Sequence, residues 1–575
     1  MACGWRWTWA VACAVLGLVQ APDARAAEIR WRNAASGNWF DGAAWEGGAV
    51  PGAADVAVLD QAGANHVVTV NGSPTVAGIR LGSPNVTLRA QSVTLTVSGP
   101  LEVQDGTLDL RAATLSGAGA LTVAGALVLR EVVTINLPIT SSGTTTLQAD
   151  GTYGHATVTA NAAWLNTGTV SLTTSSIYYN ATLAMGAGVQ FTNAVGGTLQ
   201  SLAGSGTTRF LSGNFLNQGT VLIGNATQLG AGTYVNEGIW RITADSVTMA
   251  GAGRVFRQTS GTLEAGAGGF VANASRVEFL GGDATGTLYL NGATLQDQSN
   301  GTGNFVVWGS STLEGNIAAG QTVTVQAHGS VGHAVLSHAT GFTNRGTIHL
   351  TSNTIYYNAT LAVTAGEMSN LGTVTTQVGS GAGRIIAASF TNDGTMTFNH
   401  DVTLSKTNGV FNNRLSMATA AGASVSLSGN GQRFNQVSGL LANTGGVTVD
   451  NATFDFSGGT VTGNPVLVRG GALLVSSTGA GSITARGTVS FTGNLAATQS
   501  LLVQGDGSWG HAVLNVQGDA FNAGTITSTT NSIYYFSSIN IGGTLTNAGT
   551  LTFAAGVGAN RYVNGNVVNT GTVGV

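Results

Sequence analysis

Three histidines recur at a fixed interval in this chain, and each is followed by a pair of tyrosines. Gly151-Thr152-Tyr153-Gly154-His155-Ala156 returns as Gly329-Ser330-Val331-Gly332-His333-Ala334, and again as Gly507-Ser508-Trp509-Gly510-His511-Ala512. Tyr178 and Tyr179 follow the first, Tyr356 and Tyr357 the second, Tyr534 and Tyr535 the third. An imidazole donates or accepts a hydrogen bond, and a phenol ring offers an apolar face with a polar tip. Together they suit recognition of a hydroxylated ligand, a glycan above all. The candidate glycan-binding residues are therefore His155, Tyr178, Tyr179, His333, Tyr356, Tyr357, His511, Tyr534 and Tyr535. A purely structural reading stands beside this one, in which each histidine and its tyrosines satisfy one another at a corner of the fold.

Other chemistry finds less support. A glycosidase needs two carboxylates roughly 5–10 Å apart. Asp105 with Asp109 and Asp450 with Asp455 are the nearest pairs, neither has a lysine nearby, and each reads as a pair of solvated turn residues. A polysaccharide-degrading enzyme is thus the alternative, and no catalytic residue is assigned. No His-x-x-x-His, Asp-rich calcium loop or Gly-rich loop ending in Gly-Lys occurs, and the sole lysine, Lys406, stands in "LSKTNG". Neither a metal nor a cofactor is expected. The arginines are scattered singly. No basic stripe tracks a phosphate backbone, so nucleic acid is not an expected partner.

The elements that carry the histidines must repeat as they do. The step from His155 to His333 equals the step from His333 to His511, and Ile177, Ile355 and Ile533 keep the same beat. The chain therefore divides into first coils at 61–150, a repeat at 151–328, a second at 329–506 and a partial third at 507–575. A shorter pattern runs inside these units: a small or apolar residue, Asn, any residue, Gly, Thr, then an apolar residue. It surrounds Asn166, Asn217, Asn344, Asn370, Asn392, Asn522, Asn547 and Asn569, with weaker forms at Asn193, Asn236 and Asn412. Asn and Gly tolerate a left-handed turn, and the threonines and valines that follow favour an extended strand. Stacked in parallel, such units bury one face of every strand along a continuous axis. The fold expected is all-β: a right-handed parallel β-solenoid of roughly 20–27 residues per coil. The asparagines serve either as turn formers or as a hydrogen-bonded ladder between coils. Prolines lack the N–H that a ladder needs. Apart from Pro22 in the N-terminal segment, they stand at 51, 74, 84, 100 and 138, and after that only at 465. About 25 coils at ~4.8 Å each would make a rod of about 120 Å.

Composition fits such a rod. Charged residues are 8% and hydrophobic residues 43%, with a net charge of −4. That is the reverse of a disordered chain. Residues 1–26 read as a secretory signal. They hold Arg6, an apolar stretch from Trp9 to Val19, and Ala24-Arg25-Ala26 before the cut. The apolar stretch is short of the ~20 residues a membrane span needs. Cys3 and Cys13, the only cysteines, both lie in this segment. Disulfides and thiolate chemistry are therefore not expected beyond it. Trp31, Trp39 and Trp45 crowd into 27–60. This segment reads as an aromatic cap over the open end of the solenoid, with a sugar-stacking platform as the other reading.

The stretch "SGNWFDGAAWEGGAVPGAADVAVL" and the N-x-G-T coils resemble bacterial autotransporter passengers and haemagglutinin-like β-helical surface proteins. The resemblance implies a secreted or outer-membrane cell-surface protein of a Gram-negative bacterium. The role it implies is structural or adhesive, with host or neighbouring-cell glycans or proteins, or further copies of itself, as partners. Such proteins continue into a membrane β-barrel. The chain keeps the solenoid rhythm through "NVVNTGTVGV", so membrane attachment is expected only through a segment absent from it.

Overall fold

The computed structural model describes residues 26–206, 208–379, 381, 383–557 and 559–575, so the segment 1–26 expected to be a secretory signal lies outside the described residues but for Ala26. Strands make up 59% of the chain, arranged as a parallel β-solenoid of about 23 turns with ~22 residues per turn. That is slightly fewer turns than the spacing suggests. The strands stack in parallel, and the residues within them alternate between buried and outward-facing, as in Gln321–Ala327. This alternation is the period of two that a half-buried strand dictates. The inward valines, leucines, isoleucines and phenylalanines form one hydrophobic cluster that runs from Trp31 to Leu551.

Each turn has three sides. In the first turns one stack holds Asp55–Leu59, Gly78–Leu81 and Leu101–Val103. A second holds His66–Val70, Val86–Gln91 and Thr107–Arg111, and a third Thr94–Val97 and Thr114–Ser116. Turn length varies. The turn that carries Leu121 onto Ile139 is narrow, whereas the next, from Ile139 to Trp164, is much wider. The narrowest turns fall below the range that the asparagine spacing gives, because their corners shrink to a few residues.

The N-terminal tryptophans are interior. Trp31, Trp39 and Trp45 are at most 2% exposed and meet edge to face at 5.0 and 4.9 Å. Trp45 Nε1 donates to Trp39 O at 2.7 Å. The strand Ala27–Arg30 pairs with Asp55–Leu59, so this segment forms the first turn and seals its open end. With no exposed indole face, it is no sugar-stacking platform.

The asparagines form ladders. Asn166 Nδ2 donates to Asn193 Oδ1, Asn193 to Asn217 and Asn217 to Asn236, at 2.7–2.8 Å, and Asn236 donates to Gln258 at 2.9 Å. Asn344, Asn370, Asn392, Asn413 and Gln436 repeat the chain, as do Asn522, Asn547 and Asn569. The member of the second ladder is Asn413, not Asn412, whose side chain faces outward and bonds Thr391. A one-residue slip on a strand moves a side chain to the other face. Where a glycine follows two residues after a ladder asparagine, as at Gly168 and Gly372, it has a reason other than a left-handed turn. A Cβ on Gly168 would stand 2.1 Å from Gly143 O, and one on Gly372 2.2 Å from Gly346 O. The backbone of one turn lies directly on the carbonyl of the turn below.

Candidate functional site

Each histidine meets its own tyrosine pair at a corner of the solenoid, where loops from successive turns stack. The first loop is a tight turn. Asp150 and Gly154 exchange two backbone hydrogen bonds at 3.1 and 2.8 Å, while Asp150 Oδ1 accepts from the N–H groups of Thr152 and Tyr153. Asp506 does the same beneath Ser508 and Trp509, and His328 Nδ1 takes the place of the carboxylate beneath Ser330.

The loop above carries the tyrosines, and hydroxyls fix its shape. Thr174 Oγ1 bonds both N and O of Ser176, and Tyr178 N donates to Ser176 Oγ. Ser352 and Thr354 repeat this under Tyr356, and Thr530 and Ser532 under Tyr534. The two tyrosines of each pair then part company. Tyr179 is partly buried against the core, edge-on to His155 at 5.2 Å; Tyr357 meets His333 at 5.1 Å and Tyr535 meets His511 at 5.3 Å. Each histidine Nδ1 accepts the backbone N–H of Asn180, Asn358 or Phe536, at 2.9–3.1 Å. An Nδ1 that accepts this bond leaves the proton of the neutral ring on Nε2. Tyr178, Tyr356 and Tyr534 point into water at 76, 74 and 76% exposure. Ile177, Ile355 and Ile533 beside them are 55–63% exposed. Each corner thus presents an Ile–Tyr tip on a loop tied from beneath. A loop that is already held loses little entropy when a ligand stacks on its tip.

A third loop closes the corner from above, anchored by an arginine that the spacing of the repeats hides. Arg209, Arg384 and Arg561 stand opposite Ala181, Ala359 and Ser537, but slightly off the beat that the histidines keep. Each follows a glycine-rich run, "AGSGTTR", "GSGAGR" and "GVGANR", which is the one signal that could have found them. Arg209 and Arg384 are fully buried, and their Nη2 groups donate to Leu202 O and Gln377 O in the loop before each arginine. Burial lowers the pKa of both guanidiniums.

The three corners do not lie on one face. Eight successive parallel pairings lead from Ala156–Ala160 to Gln321–Ala327, which is the strand before Ala334–His338. Eight more lead from Ala334–His338 to Gln499–Gly505, the strand before Ala512–Val516. The long repeat is therefore eight turns and one side. Each tip stands about 40 Å along the rod from the last, at ~4.8 Å per turn, and on the next of three sides.

The carboxylate pairs do not converge. Asp109 is buried between Arg89, Arg111 and Arg130, while Asp105 is exposed at the corner just before the same strand. Asp450 pairs with Arg469 and Asp455 with Arg433. All but Asp105 lie on strands as ion-pair partners, not as solvated turn residues. Among the described residues no group of three or more His, Cys, Asp or Glu is placed to hold a metal ion, and no helix is long and apolar enough to cross a membrane. Comparison with protein-family models, curated proteins and solved structures found no match to this chain.

Proposed function

We propose that this chain is an exported display rod with a structural or adhesive role at a bacterial surface, whose Ile–Tyr tips touch glycans. The observation that carries the reading is the threefold recurrence of an exposed tyrosine on a loop its own hydroxyls hold rigid. The fold gains nothing from leaving these rings in water, because burying an aromatic side chain is favourable by about 2 kcal/mol. A tyrosine face with hydroxyl and amide groups around it suits a sugar ring, and three weak contacts on one rigid body multiply by avidity. Tips on three successive sides suit a ligand that surrounds the rod, such as a meshwork of polysaccharide, better than a flat sheet. The signal-like N-terminus and the cysteine-free remainder support export, and the resemblance to autotransporter passengers supports display on a Gram-negative cell.

A glycan array probed with the wild-type chain and with Y178A/Y356A/Y534A tests this. The expected result is binding to at least one glycan class that falls tenfold or more in the triple variant. Binding that the triple variant retains in full, or no binding by the wild type, would remove the glycan from the proposal.

A further inference from the structure

The loops beneath the three tips differ. Two residues before its histidine, the tight turn presents Tyr153 at the first corner, Val331 at the second and Trp509 at the third. Tyr153 is half-buried, and its hydroxyl accepts from Arg111. Val331 has no ring to offer. The tryptophan that the second corner does carry, Trp308, is stacked between Tyr289 of the turn below, at 4.5 Å, and His328 of the turn above, at 5.1 Å. Trp509 is unlike all of these. Its indole lies on the Arg469 guanidinium, 3.8 Å from the ring centroid, yet the residue is 43% exposed. The inner face is fixed and the outer face meets water.

Arg469 stands two turns beneath the loop that carries Trp509. The indole is therefore folded down the side of the rod. Tyr534, at 76% exposure, stands on the loop one turn above. The two loops touch, since Asn531 Nδ2 donates to Asp506 Oδ2 at 3.3 Å and His511 stacks on Phe536 at 3.8 Å. The two exposed rings thus follow one another along the rod axis. The side chains above Arg469 are polar. Gln504 Oε1 accepts from Arg486 Nη2 at 2.6 Å, so its amide nitrogen keeps both hydrogens to donate. Asn531 gives its amide to Asp506, and its side-chain oxygen remains to accept. The strip is balanced in charge, because Arg469 pairs with Asp450 at 3.2 Å and Arg486 with Asp506 at 3.0 Å.

We infer that the third corner is an extended subsite for a neutral oligosaccharide, which runs along the rod with one sugar residue stacked on Trp509 and another at Tyr534. This deepens the reading of the tips as glycan contacts and rests on it. Flat aromatic faces match the C–H faces of pyranoses whose hydroxyls and linkages are equatorial. Chains of such sugars are straight, as the rod is. The free amide hydrogens of Gln504 and the free oxygen of Asn531 suit hydroxyls, which both accept and donate. A charge-balanced strip gives an acidic sugar no advantage. A ligand long enough to reach both rings gains the second contact at high effective concentration, and a monosaccharide does not.

The test is isothermal titration calorimetry on the full chain carrying Y178A/Y356A, which removes the other two tips. The probes are glucose, N-acetylglucosamine and the β-1,4-linked tetramer of each. The expected result is that at least one tetramer binds tenfold or more tighter than its monomer. Adding W509A or Y534A should abolish that difference, and W509F, which keeps a stacking ring, should restore most of it. Thermal melts show that each variant is folded. Tetramer binding that Y534A weakens and W509A leaves intact would overturn the subsite while the tips keep their role. Loss in W509A alone would contradict both. Equal affinity for monomer and tetramer, or no binding of any probe, would overturn the subsite, and the glycan array decides the tips separately.

Discussion

The asparagine ladders and the Ile–Tyr tips keep the same long period, yet one is sealed inside the rod and the other stands in water. The ladders need no function to explain them. An asparagine at the inner edge of a turn must find a donor and an acceptor. The identical residues one turn away on either side supply them, as Asn370 donates to Asn392 and Asn413 accepts from it. Packing alone would preserve that pattern. The tips have no such reason, since the tyrosine beside each one, already packed on its histidine, holds the corner together. Recurrence inside a repetitive fold therefore counts as evidence of function only where the interior does not demand it.

Substitutions can break this contrast, and their effects should descend in order from core to surface. The largest is expected in the ladder. Asn370→Leu removes donation to Asn392 Oδ1 and Thr395 O and leaves Asn344 Nδ2 short of its acceptor. Urea denaturation should show a loss of about 3 kcal/mol. Because neighbouring turns stabilise one another, hydrogen exchange should rise in the turns on both sides of residue 370 before others.

Asp297 gives a change of opposite sign. Its folded pKa of about 7 lies above the ordinary aspartate value, because burial disfavours the charge. The cost of that charge is absent below about pH 4, grows as pH rises toward 7 and is complete above it. Asp297→Asn should therefore stabilise the chain at pH 8, by up to about 3 kcal/mol, and leave it unchanged at pH 3.5. Equal melting shifts at both pH values would contradict this reading of the carboxyl.

At the corner, Tyr357 packs against His333 and the core. Tyr357→Ala should destabilise the chain by roughly 1 kcal/mol or somewhat more through loss of those contacts. Its exposed neighbour supplies the sharpest contrast, because Tyr356 stands in water. Tyr356→Ala should weaken glycan binding yet move stability by no more than about 0.5 kcal/mol, the range of ordinary surface changes. If the two neighbours proved equally costly to stability, the division of each pair into a structural and a displayed ring would fail.

Much of this is legible in the sequence. Short apolar runs, N-x-G-T turns and the scarcity of proline point to a parallel solenoid because each is a local demand of that backbone. The histidine and tyrosine markers are visible for the same reason. Three features are not. The repeat pattern selects Asn412 where the ladder uses Asn413, since two adjacent asparagines differ only in which face they meet. Arg209, Arg384 and Arg561 fall off the beat because their glycine-rich loops differ in length. Nor does an interval along the chain say how many sides it spans, so tips on successive sides cannot be told from tips along one face. That property belongs to the pairing of strands, not to any residue type.

The pairing at the junction of the repeats is the most direct test of the account. Val306 and Thr324 face outward on adjacent turns of one stack and stand opposite each other. With Cys3 and Cys13 replaced by alanine, V306C/T324C should join in high yield with a short bifunctional thiol reagent. V306C/V335C should not, because Val335 belongs to the next side and lies opposite Ser310. Efficient joining of 306 to 335 but not to 324 would mean that each repeat closes on whole turns, and the stepwise display of the tips would be wrong.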